Sequence, residues 1–359
     1  MDLEVDVRNH VAFLTLNRPA ALNALNFAMI GELAGAVREA VHTPEVHAVL
    51  LRGAGGKAFC AGGDVRALYD SHRTGGTQHR EFFVEEYRLD HCLHHLSKPF
   101  IALIDGITMG GGMGLAQASK LRLAGERTRI AMPEVGIGLI PDVGGSYFLS
   151  RLPGALGIYL ALTGSEIRAG DALWAGLADL YLEPAAMARL EPALLEMRWG
   201  ALPLADLERT LRSLATEPPA APLAPLREAI DRHFSCATVP AILVSLEAET
   251  DPPLLAWAAE IRELLLRRSP TMLAVTLRAL RLGAGLDLAE CFRMEYTIVQ
   301  HCFEQGDFLE GVRALIVDKD RRPRWRPARL EELDPAVIDW FFRDLAPGSP
   351  HPLADLGAD

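Results

Sequence analysis

A chain of 359 residues, half of them hydrophobic, can bury a large core and hold one big domain with an appendage. Its formal net charge of -11 leaves no basic stripe of the kind nucleic acid requires, although a local basic pocket for a phosphate-bearing ligand stays open. Five cysteines (Cys60, Cys92, Cys236, Cys291, Cys302) without CxxC spacing argue against a disulfide framework or a zinc site and fit a reducing cytoplasm.

No apolar run reaches membrane-spanning length, and strand-like sequence begins almost at Met1, so no signal or transit peptide is expected. Leu3 to Leu16 alternates around a polar Arg8-Asn9-His10 turn and predicts a hairpin. Asn17 to Ile30 turns into an amphipathic helix running to about Val41, and Val46 to Arg52 is a short apolar strand. Gly53 to Gly56 is a loop; Lys57 to Asp64 (KAFCAGGD) leads through glycines into another helix. Ser71 to Arg80 is polar and loop-like, and Glu81 to Leu96 is helical. Phe100 to Ile104 predicts a buried strand ended by Gly106, followed by Gly110, Gly111 and Gly112 and a helix-compatible stretch to Ser119.

Leu121 to Ala124 is strand-like; Met132-Pro133-Glu134 follows, and Asp142 stands eight residues beyond that glutamate. Helices are predicted over Ala155 to Thr163 and Ala169 to Ala175, with a short strand at Leu180 to Leu182. From Glu183 to about Pro270 the chain is rich in Leu, Ala, Glu and Arg and broken by prolines, which reads as several helices covering the core. Further helices are expected at Thr271 to Leu282, Leu288 to Gln305 and Pro335 to Leu345. Strands alternating with helices give an α/β layered fold.

The chemistry concentrates in Lys98 to Gly145 and in the earlier glycine turn. A strand, a glycine turn and a helix start leave backbone N–H groups unpaired, and such donors can stabilise a developing oxyanion. The chain makes this pattern twice, at Gly62-Gly63 and at Gly110-Gly111-Gly112, so two such turns can face each other. Glu134 and Asp142 supply carboxylates, although Pro-Glu also opens helices and Pro-Asp-Val-Gly-Gly is an ordinary turn composition. His91 and His95 have an i, i+4 spacing without the glutamate of a metal-binding HExxH helix, so no metal is expected.

The segments KAFCAGGD, IALIDGITMGGGMGL and AMPEVGIGLIPDVGG resemble the signature segments of the enoyl-CoA hydratase/isomerase (crotonase) superfamily. With SPTMLAVTLRAL, CFRMEY and DFLEGVRALIVDKDRRPRWRP, the likeness covers nearly the whole chain and leans towards a thioester-hydrolase branch. The resemblance implies a crotonase-like spiral of ββα units over residues 1–183, holding the oxyanion hole and catalytic carboxylates, and a helical C-terminal region over 184–359 closing on the acyl pocket. It implies an oxyanion hole from the N–H groups of Gly63 and Gly111, catalysis by Glu134 and Asp142, and substrate contact by Glu86. Gly114 stands where the hydratases carry a second glutamate, and Asp142 where they carry a glycine. Adding water across a double bond uses a carboxylate pair, so the expected reaction is hydrolysis of a short, branched 3-hydroxyacyl-CoA, as in valine breakdown. CoA is then part of the substrate and no cofactor is needed. A hydratase or isomerase of the same fold and a non-catalytic acyl-CoA binder are the alternatives; a homo-oligomer through the C-terminal helices stays open.

Overall fold

In a computed structural model the described residues are 1–357. Two compact units interleave along the chain: Met1–Asp64, Arg88–Ala131 and Glu166–Ala224 form the first, and Val65–Tyr87, Met132–Ser165 and the chain from Pro225 onward form the second. Each therefore draws on both sides of residue 183.

All ten strands among the described residues belong to the first unit: β1 (Leu3–Arg8), β2 (Val11–Leu16), β3 (Ala48–Gly53), β4 (Ala58–Cys60), β5 (Phe100–Leu103), β6 (Ile107–Met109), β7 (Leu121–Gly125), β8 (Arg129–Ala131), β9 (Ile167–Arg168) and β10 (Leu180–Leu182). They form a six-stranded sheet, ordered β1-β2-β3-β5-β7-β10, and a four-stranded sheet, ordered β4-β6-β8-β9. The hairpin β1–β2 is antiparallel, whereas β2, β3, β5, β7 and β10 run parallel. In three successive steps, β3/β4, β5/β6 and β7/β8, the chain gives one strand to the large sheet and the next to the small one. That repetition is the ββα spiral.

Strand composition explains the difference between the sheets. The central strands of the large sheet are almost wholly buried runs such as VAFLTL and FIAL, as parallel strands covered on both faces must be. One face packs against helices Pro184–Glu196 and Pro203–Leu214, whose Leu190, Leu194, Leu207, Leu211 and Leu214 join Phe13, Leu50, Ile101 and Leu123 in one apolar cluster. The first two helices beyond residue 183 thus cover the sheet. The strands of the small sheet have two or three residues each and no alternation long enough to read, so β6, β8 and β9 were not expected from sequence.

Two local expectations change. The first long helix begins at Phe27, not within Asn17 to Ala24, because Asn26 caps it by accepting from Met29 N–H at 2.8 Å. Before it, Leu22 and Asn23 adopt φ of 53° and 57°, and the buried Asn23 amide ties this loop to Ala54 and Ala58 carbonyls at 3.0 and 2.9 Å. Likewise, the stretch expected as a loop is mostly helical: Val65–Arg73 and Gln78–His94 leave only four residues between them.

The second unit is helical. Pro270–Gly283 and Leu288–Gln305 are its longest helices, and the latter starts with a capping box between Asp287 and Glu290. In the first unit, helix Gly111–Gln117 approaches β4 so closely that a Cβ on Gly112 would lie 2.2 Å from the Cys60 carbonyl oxygen. Gly112→Ala should therefore destabilise the protein by roughly 2 kcal/mol or more, read as a lowered denaturation midpoint. An unchanged midpoint would show that β4 can move aside.

Candidate active site

Strand pairing brings the two glycine turns together. β4 and β6 are parallel neighbours, with Ala58 opposite Ile107 and Cys60 opposite Thr108, so the turns that follow them leave the small sheet at the same end. A Cβ on Gly62, whose φ is +103°, would lie 3.5 Å from Gly111 N. Gly63 forms a parallel bridge with Leu25, in which Leu25 N–H donates to Gly62 O and Asp64 N–H donates to Leu25 O, both at 2.8 Å. That pattern leaves the Gly63 N–H pointing away from the bridge. Gly111 opens its helix, where a first-turn N–H has no intrahelical acceptor. Among the described residues neither N–H has a hydrogen-bond partner. Two adjacent unpaired donors can hold an oxyanion.

The carboxylates expected to act lie in the second unit. Glu134 begins a short turn, Glu134–Ile137, is 5 % exposed, and its Oε2 has no hydrogen-bond partner among the described residues. Burial, reinforced by the charge of Asp142, holds its carboxyl well above the usual range. Asp142 is equally buried but accepts a 2.6 Å hydrogen bond from Tyr87 Oη. Burial pushes Asp142 up to about 6, and the Tyr87 bond acts against that rise by favouring the anion. The Tyr87 phenol, fully buried beside Asp142, is pushed far above its ordinary value and so stays a donor. The two carboxyls are coupled through their charges and titrate as a pair.

Glu86 precedes Tyr87 on helix Gln78–His94 and is buried, with 2 % exposure. His91, near the end of the same helix, and His95, just beyond it, hold their rings 4.3 Å apart and tilted, and His95 Nδ1 meets the His91 carbonyl oxygen at 2.8 Å. No group of three or more His, Cys, Asp or Glu residues among the described residues is arranged to hold a metal ion. The five cysteines form no disulfide.

Sequence reasoning missed two groups. Tyr87 was one. The other is Glu295, which accepts from Gly144 N–H, Ser146 N–H and Ser146 Oγ at 2.8, 2.7 and 2.5 Å. A signal for it existed: in helix Leu288–Gln305 the buried positions Leu288, Phe292, Glu295, Val299 and Cys302 recur at helical spacing, and an acid in that apolar stripe needs partners.

A family model described as enoyl-CoA hydratase/isomerase matches residues 11–342. The chain belongs to the enoyl-CoA hydratase/isomerase family. Its curated relatives include proteins named 3-hydroxyisobutyryl-CoA hydrolase, mitochondrial. That of Gallus gallus is 41 % identical over 347 residues, covering 96 % of this chain and 89 % of the relative. That of Homo sapiens is 39 % identical over 337 residues, covering 92 % and 86 %. Two solved structures share the crotonase fold: a carnitinyl-CoA dehydratase from Mycobacterium thermoresistibile (TM-score 0.88, 39 % identity, 96 % of this chain and 97 % of that one) and an enoyl-CoA hydratase from Rhodobacter sphaeroides (TM-score 0.85, 39 %, 96 % and 98 %). No helix among the described residues is long and apolar enough to cross a membrane. The relatives' mitochondrial names do not match the expected cytoplasmic location.

Buried carboxyls with raised ionisation have a stability signature. An unfolded glutamic acid ionises near 4.3. Glu134 ionises higher when folded, so between those two values the folded state binds more protons and stability falls as pH rises. Glu134→Gln, which carries no such proton, should raise the melting temperature at neutral pH by a few degrees, about 0.5–2 kcal/mol. Its advantage over wild type should shrink towards pH 4. A gain independent of pH would contradict the burial argument.

Proposed function

We propose that this chain hydrolyses short, branched 3-hydroxyacyl-CoA thioesters, with 3-hydroxyisobutyryl-CoA the foremost substrate. The observation that carries the reading is the buried pair Glu134 and Asp142, tied to Tyr87, in a chain with Gly114 at the position of the hydratases' second glutamate. The names of relatives about 40 % identical over more than nine-tenths of the chain support it.

In the proposed reaction the thioester carbonyl oxygen accepts from the N–H groups of Gly63 and Gly111. Each such donor contributes ~3 kcal/mol to lowering the barrier. One carboxyl, Glu134 in the family pattern, attacks the carbonyl carbon to give a mixed anhydride or takes a proton from an attacking water. The other, Asp142, passes a proton to the departing thiolate or binds the 3-hydroxyl. Glu86 contacts the acyl group. The reaction uses acyl-CoA as its partner and requires neither metal nor separate cofactor. A reducing compartment suits cysteines that form no disulfide.

A second reading, hydration or dehydration of an enoyl-CoA, is favoured by the names of the two solved structures at 39 % identity. Thiol release from 3-hydroxyisobutyryl-CoA, followed with a thiol-reactive dye beside the enoyl absorbance of crotonyl-CoA, separates the two. Rapid thiol release, lost by about 10²-fold or more in Glu134→Gln and in Asp142→Asn with crotonyl-CoA untouched, is the expected result. Consumption of crotonyl-CoA without thiol release would sink the hydrolase reading. The pH profile of kcat/KM should rise through an acid limb near about 6, where Asp142 ionises.

A further inference from the structure

The loop after Asp142 adopts a backbone that its residues do not favour. Val143, a β-branched residue, has φ of 53°, and Gly144 follows at 83°. A branched side chain in the left-handed region is strained and persists only where surrounding contacts impose it. Gly145 N–H closes the turn onto the Asp142 carbonyl at 2.7 Å, and three further donors, two backbone N–H groups and the Ser146 hydroxyl, converge on one carboxyl, that of Glu295.

Glu295 has no measurable exposure and lies midway along helix Leu288–Gln305. Its neighbours on that helix also serve this loop. Phe292 packs 5.3 Å from the Tyr87 ring, and a Cβ on Gly144 would meet the Phe292 ring at 3.5 Å. Across the loop, Gly283 lies so near that a Cβ there would sit 2.3 Å from the Ser146 carbonyl oxygen. Asp142 is thus held twice: its carboxylate by Tyr87, and its backbone by the turn that Glu295 gathers.

We infer that Glu295 is a positioning residue for Asp142, holding the Val143-Gly144 turn in the strained form that aims the Asp142 carboxylate at Tyr87 and at the substrate. Three converging donors need an acceptor with several free lone pairs, which a carboxylate has and an amide lacks. Glutamine at this position would turn its NH2 towards an N–H donor and release part of the turn. Burial pushes the Glu295 carboxyl up to about 8, and the Ser146 and Gly144 bonds, which favour the carboxylate, act against that rise.

The inference rests on the hydrolase reading for its kinetic arm only. In Glu295→Gln, kcat for thiol release should fall about 10²-fold with KM changed less than about 3-fold, as expected when a reacting group is misplaced by around 1 Å. Ser146→Ala, which removes one of three donors with little risk to folding, should lose roughly 3–10-fold in kcat. Against the residual rate of Asp142→Asn, Glu295→Gln should cost almost nothing more, because both changes act through one group. Equal losses in both backgrounds would mean a merely structural glutamate and overturn the inference.

A second arm needs no activity. Titration of the 13C-labelled aspartate carboxyl, assigned by its loss in Asp142→Asn, should show the Asp142 midpoint moving by about one pH unit in Glu295→Gln. An unmoved midpoint together with unchanged kcat would also overturn it. If the wild type releases no thiol from any acyl-CoA, the hydrolase reading fails, and the titration alone decides the role of Glu295.

Discussion

The parallel pairing of β4 with β6 is the constraint on which the donor pair of the first unit depends. These strands are only three residues long, and neither contributes much stability by itself. Their neighbours in the large sheet, β3 and β5, are apolar and mostly buried, and from β3 to β8 the chain alternates between the sheets. Once β3 and β5 pair, β4 and β6 must pair as well, and the glycine turns after them become adjacent. Gly62 and Gly112 then meet requirements that a side chain would break: a left-handed φ at the first, and backbone contact with Cys60 at the second.

In the second unit the governing quantity is desolvation. Glu134, Asp142 and Glu295 are all buried, and burial is the largest influence on each. What separates them is hydrogen bonding. Asp142 has Tyr87, Glu295 has three donors, and Glu134 Oε2 has none among the described residues. The best-supplied acid gathers a turn, whereas the barest one has a buried oxygen with no hydrogen bond among the described residues. Environments that push neighbouring carboxyls apart are how one scaffold divides acid and base work.

The family's scaffold hosts several acyl-CoA reactions, and the difference rests on few positions. Gly114, buried in helix Gly111–Gln117, removes a carboxylate from the helix that carries the donor turn. Asp142 adds one on a different segment. In the proposed reaction, moving a carboxylate in this way would change which substrate atom receives a proton without altering the strands or the glycine turns. Overall likeness to structures described as a dehydratase and as a hydratase is similar, and fold alone does not fix the reaction.

Local pattern in the sequence was sufficient for the large-sheet strands, most helices and both glycine turns, because apolar runs, glycine clusters and proline breaks carry their meaning over a few residues; Glu134 and Asp142 were singled out by family resemblance. The two-to-three-residue strands of the small sheet were not legible, since no periodicity develops over that length. Nor was the interleaving of the two compact units, which joins Tyr87 and Asp142 across 55 residues and Glu295 and Gly144 across 151. The sequence by itself determined which chemical groups were available and that they stood at strand ends and turns. Only the tertiary structure decided which of them meet and which stay out of water, because pairing and desolvation depend on neighbours brought together by packing rather than by order along the chain.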